Sequence, residues 1–533
     1  MADLAERLNE LGVLDSWDER LGRNATYRGV DWDSERTQPG NLHVNVHRNA
    51  QRALSAVRRA VTDGASAVCW ATAPDHLPDD LEVLMRSMGV PLLRVSDERR
   101  AFSLSSALLQ GFPAERLDSI GITGTNAKTT TAIMLAACMQ RAGIAHALST
   151  SLIAAAGDET FPPGLSTPDA PQIQELLARA VEVGATHAVV EASSQGLSDQ
   201  RLVDVPFSVG ICTTIGSDHL EVHGSDAAYR RAKRLLFDGL GPAGFAVYNA
   251  DEPDVVEVAA GAGAFDVPVG RSRDALALRD GDRLTLTPAL ARRCGREPGT
   301  INVTTPAITG HDVTSAALAA TAAFICGAGI EAIESGLGDF GGLPRRLSVV
   351  ATRPFVVVDD MFNAHSAGTT VERRLRPLRQ STARFLCGVA VRGNRGVATN
   401  AEQGNVLGRA LMRLNVDEVH VTRSVDVVGP GDHASDAEYD AIVAGLAAWG
   451  VRPTTHAQLA TLVTAIFQAA RPGDLIAFIG HTGMEPAVGM LRDHLRSTGR
   501  QGRRRAASFI DEHAQLRTSA GRPLGDVPQG RQP

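Results

Sequence analysis

Short apolar runs separated by turn residues alternate with stretches of helical period along most of the chain. In the first part, the run 41–46 follows Pro39-Gly40, and the run 65–70 follows an amphipathic stretch at 51–62. This pattern predicts a small α/β domain over residues 1–115. A second pattern starts at Leu117. A buried strand at 118–123 leads into Gly124-Thr125-Asn126-Ala127, and a helical stretch runs from Lys128 to Ala142. Further strands are expected at 188–192, 209–214 and 245–249, with helices at 170–183 and 227–237 between them. Strands alternating with helices predict a parallel sheet, here in a central domain over 116–343. Gly341-Gly342-Leu343-Pro344 reads as a linker. Beyond it, strands at 355–359, 384–389, 418–421 and 475–479 predict a third, Rossmann-like α/β domain over 344–497. Residues 498–533 are rich in Arg, Gly, Pro and Gln, the composition of a disordered basic tail.

Composition narrows the class. With 44% hydrophobic and 21% charged residues, the 533-residue chain has enough apolar side chains for several cores. A net charge of −7 argues against a nucleic-acid backbone binder, which is usually basic. The longest apolar run, at 316–326, is shorter than the ~20 residues of a membrane span. The first residues lack the basic and apolar regions of a secretory signal. The six cysteines form no C-x-x-C pair, which points to reduced thiols in a cytoplasm and gives no zinc signature. Of 53 basic residues only Lys128 and Lys233 are lysine. Arginine does the ordinary surface work, so each lysine is a candidate for a task that needs a compact ammonium or a reactive amine.

Both lysines fall inside motifs. Gly121–Thr131 reads GITGTNAKTTT. Strand, glycine loop and helix N-terminus together make a phosphate cradle. The lysine reaches the outer phosphates, and the Thr129 hydroxyl suits Mg²⁺. Ile122 occupies the first glycine position of the common G-x-x-x-x-G-K-[ST] pattern. The second cluster, Ser217-Asp218-His219-Leu220-Glu221-Val222-His223-Gly224, places a histidine just after a strand, and Lys233 follows on the next helix. With Glu191 at the end of another strand, a second Mg²⁺ site is expected at the C-terminal ends of parallel strands.

These motifs, together with LSTPDAP at 165–171, VVEASSQGL at 189–197, NADEP at 249–253 and GLPRRL at 342–347, resemble those of the Mur ligases in the same order. DSERTQPGNLHV at 33–44 and VSDERRAF at 95–102 resemble the start of the MurE type. The resemblance implies an ATP-dependent, ADP-forming ligase that joins a carboxylate to an amine through an acyl phosphate. The acyl substrate is UDP-linked in the MurE type, and the first domain is its binding domain. By the same resemblance, Gly124, Thr125, Asn126, Ala127, Lys128, Thr129 and Thr130 bind ATP. Thr129 and Glu191 hold one Mg²⁺, and His219 with a carbamylated Lys233, formed from CO₂, holds the second. Ser34, Ser166, Thr167, Ser193 and Arg201 face the acyl substrate. Asp312, Arg346 and Asp360 serve the nucleotide side, and Arg423 and His481 the amine. A monomer or homodimer is expected.

The chain departs from that pattern at several points. Ala127 replaces a glycine, and a methyl there is tolerated at negative φ. Gln195 and Asp312 stand where histidine and asparagine are usual. Asp360-Met361-Phe362-Asn363-Ala364-His365 and Gly480-His481-Thr482-Gly483-Met484-Glu485 replace two third-domain motifs. Thr422-Arg423-Ser424-Val425-Asp426 stands near the missing amino-acid signature, and Val46-His47-Arg48-Asn49 replaces a glycine-rich uridine loop. The catalytic centre is kept while the recognition ends differ. That points to peptidoglycan precursor synthesis or to a specialised pathway such as a peptide natural product. The alternative is a catalytically inactive, nucleotide-binding homologue acting as a partner or regulator.

Overall fold

The computed structural model describes every residue except Ser34, Arg36, Arg48, 72–76, 162–164, Ser217, His219, 304–311, Pro344, 361–366, His481 and 499–533. The described chain forms three sheets. It divides into two compact units: residues 1–215, 219–303 and 314–337 make one, and 216–218, 304–313 and 338–533 the other.

The first unit holds two sheets. The smaller has the order Leu14–Trp17, Leu92–Val95, Ala67–Ala71, Leu42–Val44, Val30–Asp31. Its first pair is antiparallel and the rest are parallel. The helix Ala50–Thr62 buries Ala53, Ala56, Val57, Ala60 and Val61, the three-and-four spacing of one helical face.

The larger sheet has eleven strands. Asp118–Thr123 lies at its centre, between His187–Glu191 and Phe207–Cys212. Both neighbours are parallel to it, as are the next strands out, His146–Ser149 on one side and Phe245–Asn249 and Phe265–Gly270 on the other. The expectation of a parallel sheet holds for this centre. It does not hold for the margins, where Ala154–Ala156 and Glu159–Phe161 add an antiparallel edge and Arg283–Leu286 and Gly299–Asn302 add another. These edge strands are short, and the alternating burial of Arg283–Leu286 reflects one solvated face. The central strand runs between strands that come later in the chain on both sides. Strand order therefore reverses there, and ligands bind beyond the C-terminal ends of strands at such a point. Gly124, Ala192 and Thr213 follow those three strand ends.

The second unit carries a six-stranded sheet in the order Arg346–Ala351, Val356–Asp360, Leu475–Ile479, Phe385–Ala390, Glu418–Thr422, Thr454–His456. Only the first pair is antiparallel. Leu475–Ile479 is buried along its whole length, as a strand covered on both faces must be. No helix among the described residues is long and apolar enough to cross a membrane.

Candidate active site

The glycine loop is held by the strand end beside it. Thr125 N–H donates to Thr214 O at 2.7 Å and Asn126 N–H to Thr214 Oγ1 at 3.0 Å, while Thr213 Oγ1 donates to Asn126 O at 2.6 Å. Gly124 has φ +144°, and a Cβ there would lie 2.0 Å from Thr213 Oγ1. Only glycine lets the backbone approach this closely. Ala127 sits just before the helix Lys128–Arg141 with φ +67°. The sequence expectation allowed its methyl at negative φ. The structure places it in the left-handed region, which costs an L-residue about 1–2 kcal/mol. The loop keeps that strained conformation because its flanking groups are bonded to Thr213 and Thr214.

Both lysines converge on one atom. Lys128 Nζ donates to Gly124 O at 2.9 Å and to Thr125 O at 3.1 Å. Lys233 Nζ donates to Gly124 O at 2.8 Å from the helix Asp226–Asp238. Two ammonium groups sharing an acceptor repel each other, so the arrangement favours an anion beside them. Lys233 is 1% exposed. It lies over the Tyr229 ring at 4.5 Å, and Tyr229 Oη bonds Thr125 Oγ1 at 3.0 Å, tying this helix to the glycine loop. Cys212 lies within the field of both lysines, but burial outweighs their pull and lifts its thiol to about 12. It stays protonated and inert.

Oxygen donors line the same place. Thr129 Oγ1 and Ser151 Oγ are 3.1 Å apart, and Ser151 N–H donates to Glu191 Oε1 at 3.4 Å. Glu191 is 1% exposed. A buried carboxylate beside two hydroxyls is a donor set for a hard divalent cation such as Mg²⁺. Among the described residues no three His, Cys, Asp or Glu side chains are grouped to hold a metal ion, and the Thr129 and Ser151 hydroxyls stand beside Glu191 as further oxygen donors. Sequence reasoning did not find Ser151, which follows the short strand His146–Ser149 with no motif around it.

The residues expected on the acyl side gather near Glu191. Thr167 Oγ1 donates to Glu191 O at 2.8 Å and accepts from Ser193 N–H at 2.9 Å. Ser193 also caps the helix Ser194–Ser198, accepting from Gly196 N–H at 3.0 Å. Arg201 donates to Thr167 O at 2.9 Å and pairs with Asp169 at 3.3 Å and Asp199 at 3.1 Å. Ser166 is half-buried in the same loop, and Thr130 is half-buried on the helix after the glycine loop.

Asp312, Arg346, Asp360 and Arg423 belong to the second unit. Asp312 opens the helix Asp312–Ile325, Asp360 ends the strand Val356–Asp360, and Arg346 begins the strand Arg346–Ala351. The neighbour of Arg346, Arg345, is buried. At φ +53°, Arg345 donates to Gly480 O at 2.6 Å and pairs with Asp359 at 3.3 Å, joining two strand ends of this sheet. Arg423 stacks on Tyr439 at 4.4 Å and is ion-paired with Asp436, so its guanidinium already has an anionic partner. Ser34, His219 and His481 lie outside the described residues.

The profile of the Mur ligase middle domain matches residues 122–324. A UDP-N-acetylmuramoyl-L-alanyl-D-glutamate–2,6-diaminopimelate ligase from Chlorobium phaeobacteroides is 33% identical over 48% of this chain and 48% of its own length. A UDP-N-acetylmuramyl-tripeptide synthetase from Deinococcus radiodurans is 31% identical over 72% of this chain and 76% of its own. Among solved structures, the MurF ligase of Thermotoga maritima in complex with ADP superposes with a TM-score of 0.59. It is 15% identical, covers 89% of this chain and 100% of its own, and supports the fold alone. On this likeness in sequence, the chain belongs to the Mur ligase family as a divergent member of the MurE type.

Proposed function

We propose that the protein is an ATP-dependent, ADP-forming acid–amine ligase. The observation that carries this reading is the convergence of both lysines of the chain on Gly124 O, beside Thr129 and the buried Glu191. A carboxylate oxygen of the acyl substrate attacks the γ-phosphorus of ATP, and ADP leaves. The amine then attacks the acyl carbon, inorganic phosphate leaves, and the amine gives up a proton. Lys128 neutralises charge on the transferring phosphoryl group as a compact point charge. Thr129 and Glu191 would hold one Mg²⁺, and His219 with a carbamylated Lys233 the second. Bound there, the metals supply charge neutralisation for the phosphoryl group and the acyl phosphate. Thr167, Ser193 and Arg201 orient the acyl substrate against the Glu191 strand, with Ser166 beside them and Ser34 on the first domain. By the family likeness, Asp312, Arg346 and Asp360 are assigned to the nucleotide, and Arg423 and His481 to the amine.

The relatives' names specify UDP-N-acetylmuramoyl-L-alanyl-D-glutamate and 2,6-diaminopimelate. The altered third-domain motifs, and the pairing of Arg423 with Asp436, favour a different amine in this chain. The test is ADP release from ATP and Mg²⁺ over paired carboxylate and amine pools, with hydroxylamine added to trap acyl phosphate as a hydroxamate. UDP-N-acetylmuramoyl-L-alanyl-D-glutamate is the first carboxylate to try. The expected result is ADP and hydroxamate that depend on the carboxylate. ADP at background with every carboxylate overturns the reading in favour of a non-catalytic homologue.

A further inference from the structure

Trp32 follows the strand Val30–Asp31 of the first sheet, far in sequence from the candidate centre. Its indole Nε1–H donates to Asp169 Oδ2 at 3.0 Å. The other carboxylate oxygen of Asp169 faces Arg201 Nε at 3.3 Å. Arg201 then donates to Thr167 O, and Thr167 Oγ1 donates to Glu191 O. A continuous path of polar contacts thus runs from the first sheet to the strand that carries the candidate metal carboxylate. Thr167 and Glu191 are each 1% exposed, so the far end of this path is rigid and costly to disturb. Arg99 supplies a second tie from the first domain, pairing at 3.0 Å with Asp199, which also holds Arg201. The Trp32 ring meets His47 edge-on at 5.3 Å, and His47 lies on the segment that replaces the family's glycine-rich loop. Trp32 therefore touches both the first domain's altered recognition segment and the acyl-side loop.

We propose that Trp32 is a positioning residue. Through Asp169 and Arg201 it fixes the Thr167 loop against Glu191, and so couples a ligand held by the first domain to acyl transfer. Interactions remote from the reacting atoms raise turnover in this way when they hold the reacting groups in alignment. An indole suits the task, being rigid and carrying a single N–H donor. The kinetic half of this inference rests on the ligase reading; the structural half does not.

Trp32→Phe is the informative variant, because it keeps a ring against His47 and removes only the N–H. The first measurement is amide hydrogen exchange on the full, ligand-free chain. The Ser193 N–H, bonded to Thr167 Oγ1, is the reporter. Its exchange is expected to rise several-fold in the variant, while the helix Lys128–Arg141 stays as in the wild type. Unchanged exchange at Ser193, or acceleration spread equally into that helix, overturns the proposal. The second measurement is ADP formation with UDP-N-acetylmuramoyl-L-alanyl-D-glutamate and the amine pool. Trp32→Phe is expected to lower kcat about tenfold with the KM for ATP unchanged. Asp169→Ser keeps the helix cap and cuts both the Trp32 and the Arg201 contacts. Adding Trp32→Phe to it is expected to cost nothing more, and losses that multiply overturn the coupling. If the wild type forms no ADP with any carboxylate, the ligase reading fails, and hydrogen exchange alone still decides the role of Trp32.

Discussion

Two residues show how a local rule is broken where chemistry is expected. Ala127 holds φ +67° next to Lys128, a conformation that favours glycine. Ala127→Gly is therefore expected to raise stability by about 1 kcal/mol, and to leave the KM for ATP unchanged or lower. Urea denaturation and ADP assays check this, and a large loss of activity would contradict the loop geometry. Lys233 donates to the same carbonyl as Lys128, and its amine is buried. A carbamate there would carry negative charge and two oxygens, removing the repulsion between the lysines and suiting a hard cation. Lys233→Ala and Lys233→Arg are both expected to be inactive, and a short carboxylic acid is expected to restore part of the turnover of the alanine variant. A fully active arginine variant would rule the carbamate out. Both lysines were legible in the sequence because arginine had displaced every other lysine. Ser151, Asp169 and Arg345 were not, because hydroxyls, carboxylates and arginines are common here and only tertiary contact distinguishes them.

At the scale of elements, legibility followed burial. Asp118–Thr123, Phe245–Asn249 and Leu475–Ile479 lie where continuous apolar runs placed them. The antiparallel edges of the eleven-stranded sheet went unread, since Ala154–Ala156 and Glu159–Phe161 are too short to leave a period. The strands Glu418–Thr422 and Thr454–His456 carry a feature that no run of residues announces: His420 Nδ1 and His456 Nε2 meet at 3.0 Å. Burial depresses the pKa of both, helped at His456 by the nearby His420. Such a bond needs one ring to accept, so it cannot survive protonation of both rings. A depressed folded pKa gives full stability above the ordinary imidazole value, lost as pH falls through it toward the folded one. The urea midpoint of the second unit is therefore expected to be lower at pH 5 than at pH 7.5. His456→Gln should narrow that difference, and an unchanged difference would show that the pair does not set it.

Across the whole molecule, the distribution of amines is as informative as any motif. The chain has two lysines, both in the candidate centre, and the amino group of Met1 donates to Ala25 O at 3.1 Å. An amine-acylating reagent, which does not attack guanidinium groups, thus finds both side-chain amines of the chain in one site. In most proteins, surface lysines would hide such a reaction among many silent adducts. Lys128 is half-buried and Lys233 fully so, which predicts that Lys128 reacts before Lys233. Saturating Mg·ATP should shield Lys128, because the ammonium would then face the phosphates rather than solvent. Bicarbonate should slow modification of Lys233, because a carbamate nitrogen is no longer a nucleophilic amine. Intact mass and peptide mapping read the order, and ADP formation reads the consequence. Activity is expected to survive acylation of Met1 and to disappear in step with acylation of Lys128. A sample fully acylated at Lys128 that still forms ADP at the wild-type rate would remove this lysine from the reaction, and the phosphate cradle reading with it.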